Sequence, residues 1–251
     1  MTDAHDIELS IVVLGYRSGA QVEVFAEQLM AEADTLDIDY EIILVANYDD
    51  PKDPTPGIAR GVAEREDRVR YLADRKEGRM GWDMRRGMEA ARGRCIAVID
   101  GDGQMPASDI PTVYRLISTG EYDLVKTFRE HRRDGWRRIL LSKGYNLLFR
   151  ALFPSSGHLQ DINSKPKILT RAAYEAMVLE SNDWFTDSEI MIQAIRLRLR
   201  ICHVSTVFHA NERRPSFVRL STAFEFLRNL MRYRWRAWLR DTGQNASSMR
   251  S

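Results

Sequence analysis

Residues 95–104, CIAVIDGDGQ, decide the fold. Cys95–Ile99 is a continuous apolar run, the pattern of a strand buried on both faces of a parallel sheet. It ends without a spacer in Asp100-Gly101-Asp102-Gly103-Gln104. Two carboxylates two residues apart at a strand end can converge on one hard cation, and oxygen donors suit Mg2+ or Mn2+. Gly101 and Gly103 allow the tight backbone that aims the side chains. Gln104 adds a third oxygen. An isolated Asp-x-Asp is more often an ordinary turn, so the surroundings decide between the two readings.

Upstream, Leu9–Leu14 (LSIVVL) and Tyr40–Ala46 (YEIILVA) read as two more buried strands. Between them Val22, Phe25, Ala26, Leu29 and Met30 make the apolar stripe of a helix over Val22–Ala33. The loop NYDDPKDPTPG follows the second strand, then a helix around Ile58–Glu66 and the strand Val69–Leu72. Asp83–Ala91 reads as a helix stopped by Gly93. Strands alternating with helices at this spacing predict an α/β, Rossmann-like, mostly parallel sheet flanked by helices. Such sheets bind ligands outside the carboxyl ends of their strands, where Asp100 and Asp102 lie.

Downstream, Ile110–Ser118 and Ser188–Leu199 read as helices, and Tyr122–Thr127 and Arg200–Val207 as strands. A basic stretch, Arg129–Lys143, leads into an apolar helix, Ile139–Leu152. Residues 7–219 are expected to form one domain, followed by an amphipathic helical extension over 220–241 and a polar, disordered tail over 242–251. Within the extension, Phe224–Leu239 sets Trp235, Trp238 and six other large apolar side chains among four arginines. It reads as a helix in a membrane interface, or as one packed on the domain or on a second copy in a homodimer.

At 251 residues, 44% hydrophobic and 29% charged, the chain suits one large globular α/β domain. Lys+Arg number 37 against 36 Asp+Glu, and the basic segment REHRRDGWRR lacks aromatic interleaving, so no nucleic-acid partner is expected. Cys95 and Cys202 stand apart in apolar runs and read as free thiols of a reducing compartment. MTDAHDIELS lacks the features of a signal peptide, and no run reaches the ~20 apolar residues of a spanning helix. A cytoplasmic location is expected, either free or peripheral on the inner face of the membrane. The five histidines show no zinc-ligand spacing. His209, at a strand end, reads as structural or as a further metal ligand.

Several blocks together resemble a family 2 glycosyltransferase of the GT-A fold, near the polyprenyl-phosphate sugar transferases. VIDGDGQMPASDIP is similar to the family's "D-x-D-x-Q, then Pro" block. GWDMRRGMEAARG is similar to its Gly-rich helix, QDINSKPKILTR to "D-x-x-S-G-x-K/R", WFTDSEIMIQA to "F-x-D-x-E-L" and HANERRPSF to "R-x-G-S". The resemblance implies a metal-dependent, inverting transfer from a nucleotide-sugar donor to a lipid-phosphate or glycan acceptor. It implies that Asp100, Asp102 and Gln104 hold Mg2+ or Mn2+ and the donor diphosphate. Tyr16, Asn47 and Gly81 would complete the donor site. Arg129, Arg138, Asp161, Asn163, Ser164 and Lys167 would border the acceptor. For a hydroxyl acceptor, Asp187 and then Glu189 would be the base. The chain departs from the pattern in three places: Ala46-Asn47 replaces an Asp pair, LGYRSG keeps only Tyr16 of the first loop, and Lys165-Pro166 replaces a Gly after Ser164. A sugar nucleotidyltransferase, or a catalytically silent nucleotide-sugar-binding module of the same fold, stays open on these residues.

Overall fold

The computed structural model describes residues 7–131, 144, 147–153, 159–209, 228–231 and 233. The three apolar runs become adjacent central strands: β1 (Leu9–Leu14), β2 (Tyr40–Val45) and β4 (Cys95–Asp100). With β3 (Val69–Leu72), β5 (Leu124–His131), β6 (Lys167–Thr170) and β7 (Ile201–Val207) they form a seven-stranded sheet in the order β3-β2-β1-β4-β6-β5-β7. β3, β2, β1 and β4 are parallel. β6 runs antiparallel to β4 and β5, and β7 is parallel to β5. The sheet is thus mostly parallel with one reversed strand, as a GT-A fold has. β6 lies inside QDINSKPKILTR, where Lys165 and Lys167 break the apolar signature of a strand, and a short helix follows from Arg171.

Period-two alternation in the strands builds the layers. Ile11, Val13, Ile42, Leu44, Ala97 and Ile99 face α1 (Gln21–Ala33), α2 (Thr55–Arg65) and α4 (Asp109–Ile117). Val12, Ile43, Val45, Ile96 and Val98 face α3 (Met80–Ala90), α5 (Arg171–Glu175) and α6 (Thr186–Arg196). Each fully buried aliphatic side chain contributes roughly 1.5–3 kcal/mol. Helix boundaries move by a few residues from the sequence reading. α3 starts at Met80 rather than Asp83 because Arg79 and Gly81 donate backbone N–H bonds to Asn182 O (2.7 Å) and Asp183 O (2.9 Å).

The chain steps from β1 to β2 to β3 in one direction and returns through α3 to β4 on the other side of β1. The switch point is therefore between β1 and β4, where Leu14 pairs with Asp100. Val45 of β2 also pairs with Leu14, so the loops after β1, β2 and β4 emerge side by side.

Residues 228–231 and 233 are helical and pack on the domain. Leu230 is fully buried, the Tyr233 ring lies tilted against Phe185 with centroids 5.0 Å apart, and Asn229 donates to Asp183 (2.6 Å). This turn of the extension follows the domain-packing alternative. The rest of the 224–239 segment lies outside the described residues. Among the described residues, no helix is long and apolar enough to cross a membrane. Cys95 and Cys202 are free, partly buried thiols, and burial pushes the Cys95 thiol up to about 11.

Candidate active site

At the β4 end the backbone is tightly drawn. Gly103 sits at φ +70°, and a Cβ on Gly101 would meet Val13 Cγ1 at 2.9 Å and Leu14 O at 3.1 Å. Only glycine fits both demands. The Gln104 N–H donates to Asp102 Oδ1 (3.1 Å). His209 N donates to Gln104 O (2.9 Å), and the Gln104 amide nitrogen donates back to His209 O (3.2 Å). His209 thus meets this loop through its backbone, tying the end of β7 to the end of β4. Asp100 is 37% exposed and Asp102 and Gln104 are half-buried. Among the described residues no three or more His, Cys, Asp or Glu side chains converge as a complete metal cage. Two carboxylates and an amide make the sparse oxygen set that Mg2+ or Mn2+ completes with substrate phosphates and water. The residues fit such a cation, and an ammonium already lies against Asp100.

Beside this end, the loops after β1 and β2 enclose a cleft of about 390 Å3, lined by Arg17, Ser18, Gly19, Asp50, Lys52, Asp53 and Pro54. A bonded network lies next to it. The Tyr16 hydroxyl donates to Asp49 (2.8 Å), Arg17 pairs with Asp49 at 3.0 Å, and Lys76 lies 4.2 Å from the centre of the Tyr16 ring. Lys76 also pairs with buried Asp83. Asn47 donates its amide to Asp83 (3.0 Å) and accepts from Asp74 N (2.8 Å). Burial raises the Asp83 carboxyl above its ordinary value although Lys76 opposes the shift.

Across β4, charge is sealed inside the protein. Asp187 carries a lysine on each oxygen: Lys165 at 2.9 Å and Lys167 in a shorter contact. Burial would raise the Asp187 carboxyl, but the two ammonium groups outweigh it and hold it below its ordinary value. Lys165 also lies 3.4 Å from Asp100. Burial would lower the Lys165 ammonium, but Asp100 and Asp187 hold it above its ordinary value. Arg129 grips Asp161 in a two-pronged pair (2.6 and 2.7 Å) and lies 5.2 Å over the Phe208 ring. Burial works to raise Asp161, yet Arg129 brings it down to about 2. Lys126 donates to Thr127 O, Gln160 O and Asp161 O at 2.8–2.9 Å, pinning the 160–164 loop to β5. Burial brings its ammonium down to about 7.

A family model, glycosyl transferase family 2, matches residues 10–182. The chain belongs to that family. Glycosyltransferase AglD of Haloferax volcanii is 31% identical to this family 2 glycosyltransferase over 206 residues, covering 79% of this chain and 32% of AglD. The undecaprenyl-phosphate 4-deoxy-4-formamido-L-arabinose transferase of Aeromonas hydrophila is 30% identical over 177 residues, covering 69% of this chain and 52% of that protein. The chain therefore spans about a third and about half of these two relatives' lengths. In fold it is similar to Mycobacterium tuberculosis glucosyl-3-phosphoglycerate synthase in complex with uridine diphosphate, with a TM-score of 0.68 and 18% identity over 91% of this chain and 80% of that one. That synthase also has structures with Mn2+ or Mg2+ and uridine diphosphate.

Within this glycosyltransferase the sequence-predicted residues divide. Asp100, Asp102 and Gln104 come together at the switch point, and Tyr16 lies beside the neighbouring cleft. Asn47 is corrected from donor contact to support, since it is fully buried with both ends of its amide bonded inside the protein. Gly81 is also corrected: it is buried, and an added Cβ would run into Thr186 and the Asp183 backbone, so it serves close packing of α3. Glu189 is not placed to act as a base. Its two oxygens accept from Glu180 N (2.8 Å) and Ser181 N (2.9 Å), and Tyr233 adds a hydroxyl. Asp187 is a poor base for a different reason, being 2% exposed and clamped between two ammonium groups. Arg129 and Asp161, both expected at the acceptor, are paired with each other. Asn163 accepts from Ser188 Oγ (3.2 Å), and Lys167 is committed to Asp187 and Ser164 O. Arg138 lies outside the described residues. Sequence reasoning missed Lys126 as a loop anchor and the destination of Lys165. The departure at Lys165-Pro166 was the available signal for the second.

Proposed function

We propose that this family 2 glycosyltransferase moves a sugar from a nucleoside-diphosphate sugar to a polyprenyl-phosphate-type acceptor, with inversion at the anomeric carbon. The observation that carries the reading is the partly exposed Asp100-x-Asp102 pair at the switch point, beside the cleft after β1 and β2. The nucleoside would lie in that cleft, against Arg17, Asp50 and Lys52. Asp100, Asp102 and Gln104 would hold Mg2+ or Mn2+, which when bound supplies positive charge against the leaving diphosphate.

The acceptor follows from what the carboxylates are doing. A hydroxyl acceptor needs a base within reach. Asp187 and Glu189, the two side chains with that expectation, are committed to lysines and to backbone N–H groups. A phosphate acceptor carries its own charge and needs no such base. Its oxygen forms a bond to the anomeric carbon as the bond to the diphosphate breaks, releasing a nucleoside diphosphate. Relatives named as undecaprenyl-phosphate transferases support the same acceptor class. Arg129 would meet the acceptor phosphate by exchanging Asp161 for it. Peripheral membrane contact is proposed for the C-terminal segment without Leu230 and Tyr233, which are used against the domain.

The test incubates the chain with Mn2+, a panel of UDP-, GDP-, dTDP- and CDP-sugars, and either a polyprenyl phosphate or the matching alcohol. The expected outcome is a glycosylated lipid and free nucleoside diphosphate with the phosphate and one donor, and no product with the alcohol. Equal transfer to the alcohol, or release of pyrophosphate, contradicts the reading.

A further inference from the structure

The ion pairs behind the donor site form a line rather than a closed cluster. Lys167, Asp187, Lys165 and Asp100 follow one another, each in contact with the next. The inner three are sealed, with side chains 1%, 2% and 4% exposed, whereas Asp100 at the outer end is 37% exposed. Burial lowers the Lys167 ammonium, whereas Lys165 keeps its proton and carries its positive charge past Asp187 toward the strand end. Asp100 faces that charge, 3.4 Å from Oδ1 and 3.5 Å from Oδ2. The backbone sets this meeting. β6 is antiparallel to β4 with Val98 opposite Lys167, and continuing that register two residues brings Lys165 opposite Asp100. Thr127 N donates to Pro166 O (3.1 Å), fixing the same stretch to β5.

We propose that Lys165 is a built-in counter-ion of the donor site, which makes metal loading depend on the diphosphate. The inference rests on the donor-site reading above. Asp100 and Asp102 alone carry two negative charges and would neutralise a free divalent cation. With Lys165 against Asp100 the three groups sum to one negative charge, and a divalent cation alone leaves an excess of positive charge. A diphosphate arriving with the cation removes that excess, and Lys165 can then turn its ammonium from Asp100 to a phosphate oxygen. Lys165 is thus a positioning residue: it holds Asp100 ahead of metal binding and favours joint entry of metal and nucleotide.

The test is Mn2+ binding to the full chain, read from the paramagnetic resonance signal of free Mn2+, with and without UDP and GDP. Lys165→Met is expected to bind Mn2+ alone about tenfold tighter than the parent chain. The gain in Mn2+ affinity on adding nucleotide should shrink by a similar factor. Asp187 keeps Lys167 in this variant, which preserves its pairing. Lys165→Gln, retaining a donor for Asp187, carries the same expectation should Lys165→Met not fold, and Lys165→Arg should behave like the parent. Equal or weaker Mn2+ binding by the folded Met or Gln variant overturns the inference. Asp102→Asn separates the two levels. If it leaves Mn2+ binding unchanged in both parent and Lys165→Met backgrounds, the metal is not held here and the donor-site reading fails. If it abolishes binding while Lys165→Met matches the parent, the counter-ion inference alone fails.

Discussion

Two acidic regions flank β4, and they meet their charges in opposite ways. On the outer side, Asp100 and Asp102 stand at the strand end, partly exposed, with glycine geometry around them, a backbone N–H bond to Asp102 and Lys165 3.4 Å from Asp100. On the inner side, Asp161 and Asp187 are enclosed and paired to Arg129, Lys165 and Lys167. The sequence places both groups in motif-like blocks and does not tell them apart. The difference teaches that a carboxylate enclosed with its partners away from solvent serves the fold first. One left at a strand mouth is available to a ligand.

That contrast breaks most visibly if the inner carboxylate is removed. Asp187→Ala would leave Lys167 buried without its carboxylate and Lys165 with Asp100 alone, and a loss of about 3–5 kcal/mol in unfolding free energy is expected. Denaturant titration measures it, and a loss below about 1 kcal/mol would place Asp187 among the ligand-facing groups instead. Leu230→Ala should cost about 2–4 kcal/mol, because this side chain is fully buried against the domain. A near-neutral result would release the C-terminal helix from the domain and strengthen its reading as a membrane element.

Acid sharpens the comparison further. Burial would raise Asp161, but Arg129 brings it from 3.8 down to about 2, so its folded-state pKa is depressed. The associated stability is complete above the unfolded value and lost as pH falls through about 2, a contribution of about 2 kcal/mol. Thermal unfolding followed from about pH 5 to about pH 2 should show an acid-side decline that is shallower in Asp161→Asn, the remainder coming from Asp49, Asp123 and Asp187, whose carboxyls are also held below their ordinary values. Identical slopes would remove the pair from the stability account. The smallest stability effect belongs to the outer rim. Arg17 and Asp49 are each 47% exposed, so Arg17→Ala should leave the melting temperature unchanged while raising the KM for the donor a few-fold. A drop in stability with unaltered KM would reverse that assignment.

The parallel half of the sheet was legible because LSIVVL, YEIILV and CIAVI are apolar runs with no competing pattern. Asp100 and Asp102 were legible because they interrupt such a run abruptly. β6 was not, since KILT is flanked by charge and its burial depends on partners in β4 and β5 far along the chain. The same distance hid Lys165, whose contact with Asp100 is created by antiparallel register. Glu189 shows another limit. Its block resembles a catalytic motif, yet the carboxylate is used on the backbone of residues 180 and 181. Gly81 lies in a Gly-rich block that suggests ligand approach, and the close neighbour proves to be the protein's own 183–186 segment.

The central claim is that the open pair at the β4 end does the chemistry and the closed pairs behind it hold the fold. Asp102→Asn tests it most directly when nucleoside-diphosphate release and the melting temperature are measured on the same preparation. The account predicts a fall in turnover of about a hundredfold or more with the melting temperature essentially unchanged. Retention of most of the turnover, or a loss that merely tracks a drop in stability, would contradict it.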